Sequence, residues 1–276
     1  MRFLSLAVGA AAAAFALASF GAPDATKSAI TARLQQQLPT WSGTEYALGS
    51  AAFDDALRAA LDDNANAAAP IVEAGHKLFT AKFKDGRTLA SCFPNGGRRV
   101  AQAYPQYDPR LKRVVTLEMA VNQCRKAHKE ELYELADPQT MGAVTAYLRS
   151  LSNGQKMAVR VPAAAEPRFE EGRRLYFTRM GQRNFACASC HVQAAGKRYA
   201  DTPLSPAIGQ ATHWPEIRDG KALTLQARIR ECLELMGAAP FAAGSDELNH
   251  LEYFLSYLSN GLPLKANVYR PATSSR

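Results

Sequence analysis

Hydrophobic and polar positions alternate in very different ways along this chain. From Phe3 to Phe20 apolar residues are nearly continuous and alanine-rich behind the short basic start Met1-Arg2. That is the pattern of an export signal, with Ala16-Leu17-Ala18 or the stretch to Ala22 as cleavage candidates. An uncleaved membrane anchor fits less well, because the run is barely long enough to span and no basic stop-transfer cluster follows. Further on, the apolar spacing becomes helical. Positions 169–180 read as a helix carrying Gly172 and Tyr176 one turn apart. Positions 247–258 read as a terminal helix, with Leu251, Phe254, Leu255 and Leu258 on one face, stopped by Asn260-Gly261 with Pro263 beyond. A glycine on one helix lets an aromatic side chain of another approach closely, which suits a crossed pair. Between the signal and these helices, the stretch from Asp24 to Ala69 holds two weaker helical patterns, around 30–38 and 52–62.

The pattern also repeats. Gly75-His76-Lys77-Leu78-Phe79 is matched by Gly172-Arg173-Arg174-Leu175-Tyr176, and Tyr104-Pro105 by Trp214-Pro215. Thr116-Leu117 leads to Cys124 as Thr224-Leu225 leads to Cys232, and Leu151-Ser152-Asn153-Gly154 recurs as Leu258-Ser259-Asn260-Gly261. Matches in the same order predict two copies of one fold, joined by the proline- and alanine-rich stretch Val161 to Pro167. The expected architecture is mostly α: a signal peptide (1–22), an N-terminal helical extension (23–69), and two tandem cytochrome c-like domains (70–160 and 165–265), the first without haem.

The haem reading rests on Cys187-Ala188-Ser189-Cys190-His191, a C-x-x-C-H. Two thiols at this spacing each form a thioether to a haem vinyl group, and the adjacent histidine ligates the iron. A zinc site would want two more ligands at short spacing, and a thioredoxin-type pair has no need of the histidine. The first copy reads Cys92-Phe93-Pro94-Asn95-Gly96 in the matching register, so the second thiol and the histidine are missing. One haem c per chain is expected. Cys92 and Cys124, on opposite sides of a vacated pocket in an oxidising compartment, are expected to form a disulfide, worth ~3 kcal/mol by loop-closure entropy.

Five cysteines then leave Cys232 unassigned. It lies downstream of the haem histidine where small c-type cytochromes supply the second axial ligand. Met236, one turn on, is the ordinary ligand type and the direct competitor; His213 and His250 are weaker candidates. The repeat favours Cys232, since Cys124 and Cys232 match in register while nothing in the first copy is seen to correspond to Met236. Arg228 precedes Cys232 by four residues on the expected helix, so its guanidinium shares a face with the sulfur and is placed to hold an oxyanion. Arg230 points elsewhere and reads as surface.

The chain is net basic, +8 from 33 Lys+Arg against 25 Asp+Glu. Export argues against nucleic acid as the partner, and an anionic small substrate or an acidic protein fits better. The residues assembled so far resemble those of SoxA, the catalytic c-type cytochrome subunit of the SoxAX cytochromes of bacterial thiosulfate oxidation. The resemblance runs through Cys92-Phe93-Pro94-Asn95-Gly96-Gly97, Asn122-Gln123-Cys124-Arg125, Phe185 to His191 and Arg228 to Met236. It implies the single-haem type, with Cys187 and Cys190 attaching the haem, His191 and Cys232 ligating the iron, Cys232 found as a persulfide, and Arg228 at the substrate site. It also implies a periplasmic L-cysteine S-thiosulfotransferase that joins thiosulfate oxidatively to a cysteine of the carrier SoxYZ. Electrons would pass through haem to the SoxX subunit and an acceptor cytochrome c. A plain electron carrier with His191 and Met236 as ligands is the alternative, and a haem peroxidase a more distant one, since it usually needs two working haems.

Overall fold

Two crossed helix pairs, one in each copy, carry the architecture. The computed structural model describes residues 22–39, 41, 64–199 and 202–268. The expected export signal, but for its last residue, and the helix expected at 52–62 lie outside these. Among the described residues no helix is long and apolar enough to cross a membrane. In chain order the elements are α1 (Pro23–Gln37), α2 (Asn64–Thr80), β1 (Gln106–Asp108), β2 (Arg113–Val115), α3 (Leu117–Ala127) and α4 (Met141–Ser150). There follow α5 (Glu166–Phe177), β3 (Arg198–Tyr199), β4 (Thr202–Pro203), β5 (Glu216–Arg218), β6 (Lys221–Leu223), α6 (Leu225–Leu235) and α7 (Asp246–Leu258). The strands form three separate antiparallel hairpins, so the fold is helical with small β-corners.

The two copies share their joints. A Cβ added to Gly75 on α2 would stand 1.9 Å from the Ala143 carbonyl oxygen on α4; one added to Gly172 on α5 would stand 2.0 Å from that of His250 on α7. Each glycine therefore permits a backbone-to-backbone crossing that any side chain would block. Tyr147 and Phe254 flank the two crossings at equivalent places. Thr116 caps α3 by accepting from the Met119 N–H, and Thr224 caps α6 by accepting from the Ala227 N–H. Ser152 and Ser259, just past α4 and α7, accept from the backbone N–H of Ala101 and Ala211 and tie the helix end to the loop before each hairpin. Both Tyr104-Pro105 and Trp214-Pro215 are cis.

Some boundaries differ from the periodicity. The helix α5 starts at Glu166 rather than Phe169, because Pro167 in the first turn lacks an N–H it would not use there anyway. It ends at Phe177 because Met180 turns back to pair with Phe185, N–H to carbonyl at 2.9 Å. The first copy's opening helix begins at Asn64, inside the segment read as extension.

The copies pack reciprocally. The helix α4 lies on the β5–β6 hairpin, with Gly142 so close to β6 that a Cβ would meet the Ala222 carbonyl oxygen at 2.0 Å, and α7 lies on β2. Arg149, buried between them, donates to the Ala211 carbonyl at 2.7 Å. Glu118 and Glu252 are buried beside it, one from each copy. The helix α1 buries Ile30 and Leu34 and is tied to the second copy by Lys27 Nζ donating to the Asn260 carbonyl and the Tyr257 hydroxyl donating to Asp24. Its end reaches the loop after the haem motif, where Gln37 donates to the Gln193 carbonyl.

Candidate active site

The C-x-x-C-H segment is wound into a short turn. Ser189 Oγ accepts from the Ala186 N–H at 3.1 Å, and Ser189–Gln193 forms a single turn of wide, π-type helix. Cys187, Cys190 and His191 are all half-buried and line one cavity. The Nδ1 of His191 lies 2.8 Å from the Ser205 carbonyl oxygen. A carbonyl only accepts, so this contact places the ring proton on Nδ1 and leaves Nε2 as the lone-pair nitrogen, the tautomer an iron ligand needs. The side-chain amide of Gln210 is 2.7 Å from the same nitrogen and, turned oxygen-first, accepts from the same proton.

The opposite wall comes from α6. Its register sends Arg228, Ile229 and Cys232 into the cavity, together with Met236, the residue that ends the helix. The empty space enclosed, mouth included, is about 1080 Å³. Burial pushes the Cys187 thiol up to about 12, helped by the nearby Cys232, and the same two causes raise Cys190. The mutual influence shows that all three sulfurs face one space. Tyr176 on α5 is fully buried, and its hydroxyl has no hydrogen-bond partner among the described residues although it borders this cavity. Its pKa lies well above the ordinary phenol value, from burial first and then the three cysteines. A large apolar space with two thiols and a preset imidazole on one side, two candidate sulfur ligands on the other and a buried hydroxyl without a partner among the described residues in its wall fits a haem c.

Arg228 is held in place rather than free. Its Nη1 donates to Glu231 Oε2 at 3.1 Å, and about a quarter of its side chain is exposed. Burial works against its charge, but Cys232, Glu216 and Glu231 outweigh it, so the guanidinium titrates above the ordinary arginine value. Glu231 in turn receives Arg218 through its other oxygen. Cys232, half-buried at the cavity wall, therefore sits beside a fixed cation.

The other candidates sort by position. His213 borders the cavity, its ring packed on Trp214. His250 does not: its ring lies on the α5 side of α7, near Arg168 and Glu171, which removes it as an axial ligand. Arg230 is not simply solvated; it borders a second, polar cavity with Arg218, Glu231 and Glu234. Cys92 and Cys124 are joined by a disulfide with Cα atoms 5.8 Å apart. The position of Met236 does have a counterpart in the first copy. His128 ends α3 as Met236 ends α6, so the register argument for Cys232 against Met236 is weaker than the sequence alone suggested. Sequence reading also missed Ser205 and Gln210, and it gave Tyr176 a place in the helix crossing but not in the cavity wall, since these roles depend on distant contacts. Glu231 was within reach of it, since its spacing from Arg228 is a helical one.

The family model for the SoxA/TsdA cytochrome c domain matches residues 74–157 and 171–264, one segment in each copy. Relatives include the L-cysteine S-thiosulfotransferase subunit SoxA of Allochromatium vinosum, 35% identical over 256 residues, 88% of each chain. The chain belongs to the SoxA family. The SoxA of Chlorobaculum tepidum is 43% identical over 194 residues, covering 69% of this chain and 67% of that one. Among solved structures, SoxXA from P. pantotrophus superposes with a TM-score of 0.72 at 28% identity, covering 79% of this chain and 84% of that one. The cytochrome c domain of the family implies a haem c cofactor here.

Proposed function

We propose that this chain is the catalytic, single-haem SoxA subunit of a periplasmic L-cysteine S-thiosulfotransferase, working with a SoxX cytochrome. The observation that carries the reading is Cys232, half-buried at the wall of the haem cavity with Arg228 fixed beside it. Cys187 and Cys190 would attach the haem covalently, and His191 and Cys232 would ligate its iron. When bound, the haem supplies one-electron redox chemistry next to the cysteine.

The residues do the rest. Arg228, already paired on one side by Glu231, offers its remaining donors to the sulfonate oxygens of thiosulfate. The Cys232 sulfur bonds to the terminal sulfur of thiosulfate, giving a cysteine S-thiosulfonate and releasing two electrons to acceptor cytochrome c. A thiolate of the SoxYZ carrier then attacks the sulfur carrying the sulfonate, takes that group, and leaves Cys232 as thiolate. The overall positive charge of the chain favours approach of the dianion. A plain electron-carrying cytochrome is the second reading, since Met236 also borders the cavity and is an ordinary ligand.

Thiosulfate-dependent reduction of an acceptor cytochrome, assayed with partner subunit and carrier, separates them. Cys232→Ser is expected to abolish the reaction with the haem still attached to the chain. A Cys232→Ser protein turning over at the wild-type rate would leave only the electron carrier.

A further inference from the structure

The first copy keeps a ligand set of its own. Cys92 Sγ, Cys124 Sγ and a ring nitrogen of His128 all lie within 4.8 Å of one another. Their places are not arbitrary. Cys124 stands where Cys232 stands in the second copy, and His128 stands where Met236 stands, each the residue that ends its helix. Cys92 comes from the segment that corresponds to the haem-attachment motif. The cluster therefore occupies the ligand positions of the copy whose haem motif is lost.

The tautomer of the histidine is preset by a neighbour. Its ring Nδ1 is 2.6 Å from Asp85 Oδ2, so the Nδ1–H donates to the carboxylate and Nε2 is left as the nitrogen whose lone pair a cation can use. A carboxylate behind a histidine is the usual support of a metal-binding imidazole, fixing both tautomer and ring plane. The Phe83 ring stacks on it at 5.0 Å between centroids and limits its rotation. Cys124 and most of His128 are buried, while Cys92 is exposed, so the bridge can be reached from solvent.

We propose that reduction of the Cys92–Cys124 disulfide opens a metal site in the first copy, with Cys92, Cys124 and His128 as ligands, Asp85 as the support of His128, and a thiophilic divalent cation of the zinc type as occupant. A dithiol reductant delivers two electrons and two protons, becoming a disulfide itself and leaving two thiols on the protein. Binding of Zn²⁺ then displaces both thiol protons and forms two Zn–S bonds. Three protein ligands at a solvent-accessible edge leave the fourth tetrahedral position to water. In the oxidised protein both sulfurs are committed to each other and the site is closed.

The test uses the full-length haem-bearing chain carrying Cys232→Ser, which removes the one sulfur that is bonded neither to a haem vinyl group nor in the bridge and could itself take up zinc. Zinc chloride is titrated against a chromophoric chelator before and after reduction with a phosphine that is removed anaerobically before zinc is added. Reduced protein is expected to take up one more zinc ion per chain than unreduced protein. His128→Ala and Asp85→Asn are each expected to weaken that uptake about 10–100-fold. Zinc-edge X-ray absorption should show Zn–S at about 2.3 Å and Zn–N at about 2.0–2.1 Å. Equal uptake before and after reduction overturns the proposal. So does uptake that His128→Ala and Asp85→Asn leave unchanged, the behaviour of thiols in an unfolded chain.

Discussion

Arg228 and Glu231 are bound to one another across one turn of α6, Nη1 to Oε2 at 3.1 Å, and Glu231 is held in turn by Arg218. The guanidinium proposed to hold the substrate is thus positioned by a chain of charges running away from the cavity. Glu231→Gln is expected to leave Arg228 charged but less constrained, raising the KM for thiosulfate several-fold with a smaller change in kcat. Arg228→Ala removes the contact itself, and a charge-assisted hydrogen bond of about 1.5–3 kcal/mol corresponds to roughly 10–150-fold in kcat/KM. Steady-state kinetics on both variants check this; equal losses in the two would show that Glu231 does more than orient.

Two sulfurs on one helix, those of Cys232 and Met236, are the candidates for iron ligand. If Cys232 is the ligand, Met236→Leu should leave the haem spectrum essentially unchanged, and the wild-type haem should be low-spin at a potential below that of a His/Met centre, since anionic sulfur favours the ferric state. Optical and electron paramagnetic resonance spectra of the variant decide it. A change to high spin would make Met236 the ligand and Cys232 a bystander of the iron.

Glu252 gives the interface between the copies a pH dependence. It is buried beside Glu118, and these two effects, eased by Gln226 and Arg149, push its carboxyl up to about 8. A carboxyl raised in the folded state holds its proton there while the unfolded chain has lost it, so stability falls as pH rises from about 5 to 8. The slope contributed is at most about 1.4 kcal/mol per pH unit. Urea unfolding of the wild type and Glu252→Gln across this range should show the variant with the flatter profile and the greater stability gain at pH 8. Parallel profiles would mean Glu252 is ionised throughout.

Gly172→Ala tests the crossing that shapes the haem domain. Alanine ordinarily favours a helix interior by up to about 1 kcal/mol over glycine. Here the added carbon would lie 2.0 Å from the His250 carbonyl oxygen, which forces α5 and α7 apart. The expected net result is a loss of about 1–3 kcal/mol in thermal or denaturant unfolding. A stabilised variant would show that the helices separate freely.

Much of this site was legible because its parts are close together in the chain. The C-x-x-C-H motif is contiguous, and Arg228 and Cys232 sit at one helical spacing, so local geometry alone brings each set together. The tandem fold was legible for a related reason: Gly75 and Gly172, Thr116 and Thr224, and Ser152 and Ser259 each answer a backbone requirement that recurs with the fold, and a recurring requirement leaves a recurring residue. The end of α5 was less legible, because it is decided by Met180 pairing with Phe185 and not by apolar periodicity.

The sequence by itself determined the two-copy helical architecture, the intact and broken haem motifs and the unassigned Cys232. Tertiary structure alone decided the environment of those residues. The Ser205 carbonyl sets the tautomer of His191 from a distant loop. Cys232 and Met236 border the same cavity as Cys187, Cys190 and His191, which come from another part of the chain. Glu118, Arg149 and Glu252 meet only because each copy lays its last helix against the other's hairpin. Such contacts join residues far apart in the chain, where neither spacing nor periodicity constrains the pairing. They form because a buried polar group must find a partner wherever packing brings one within reach.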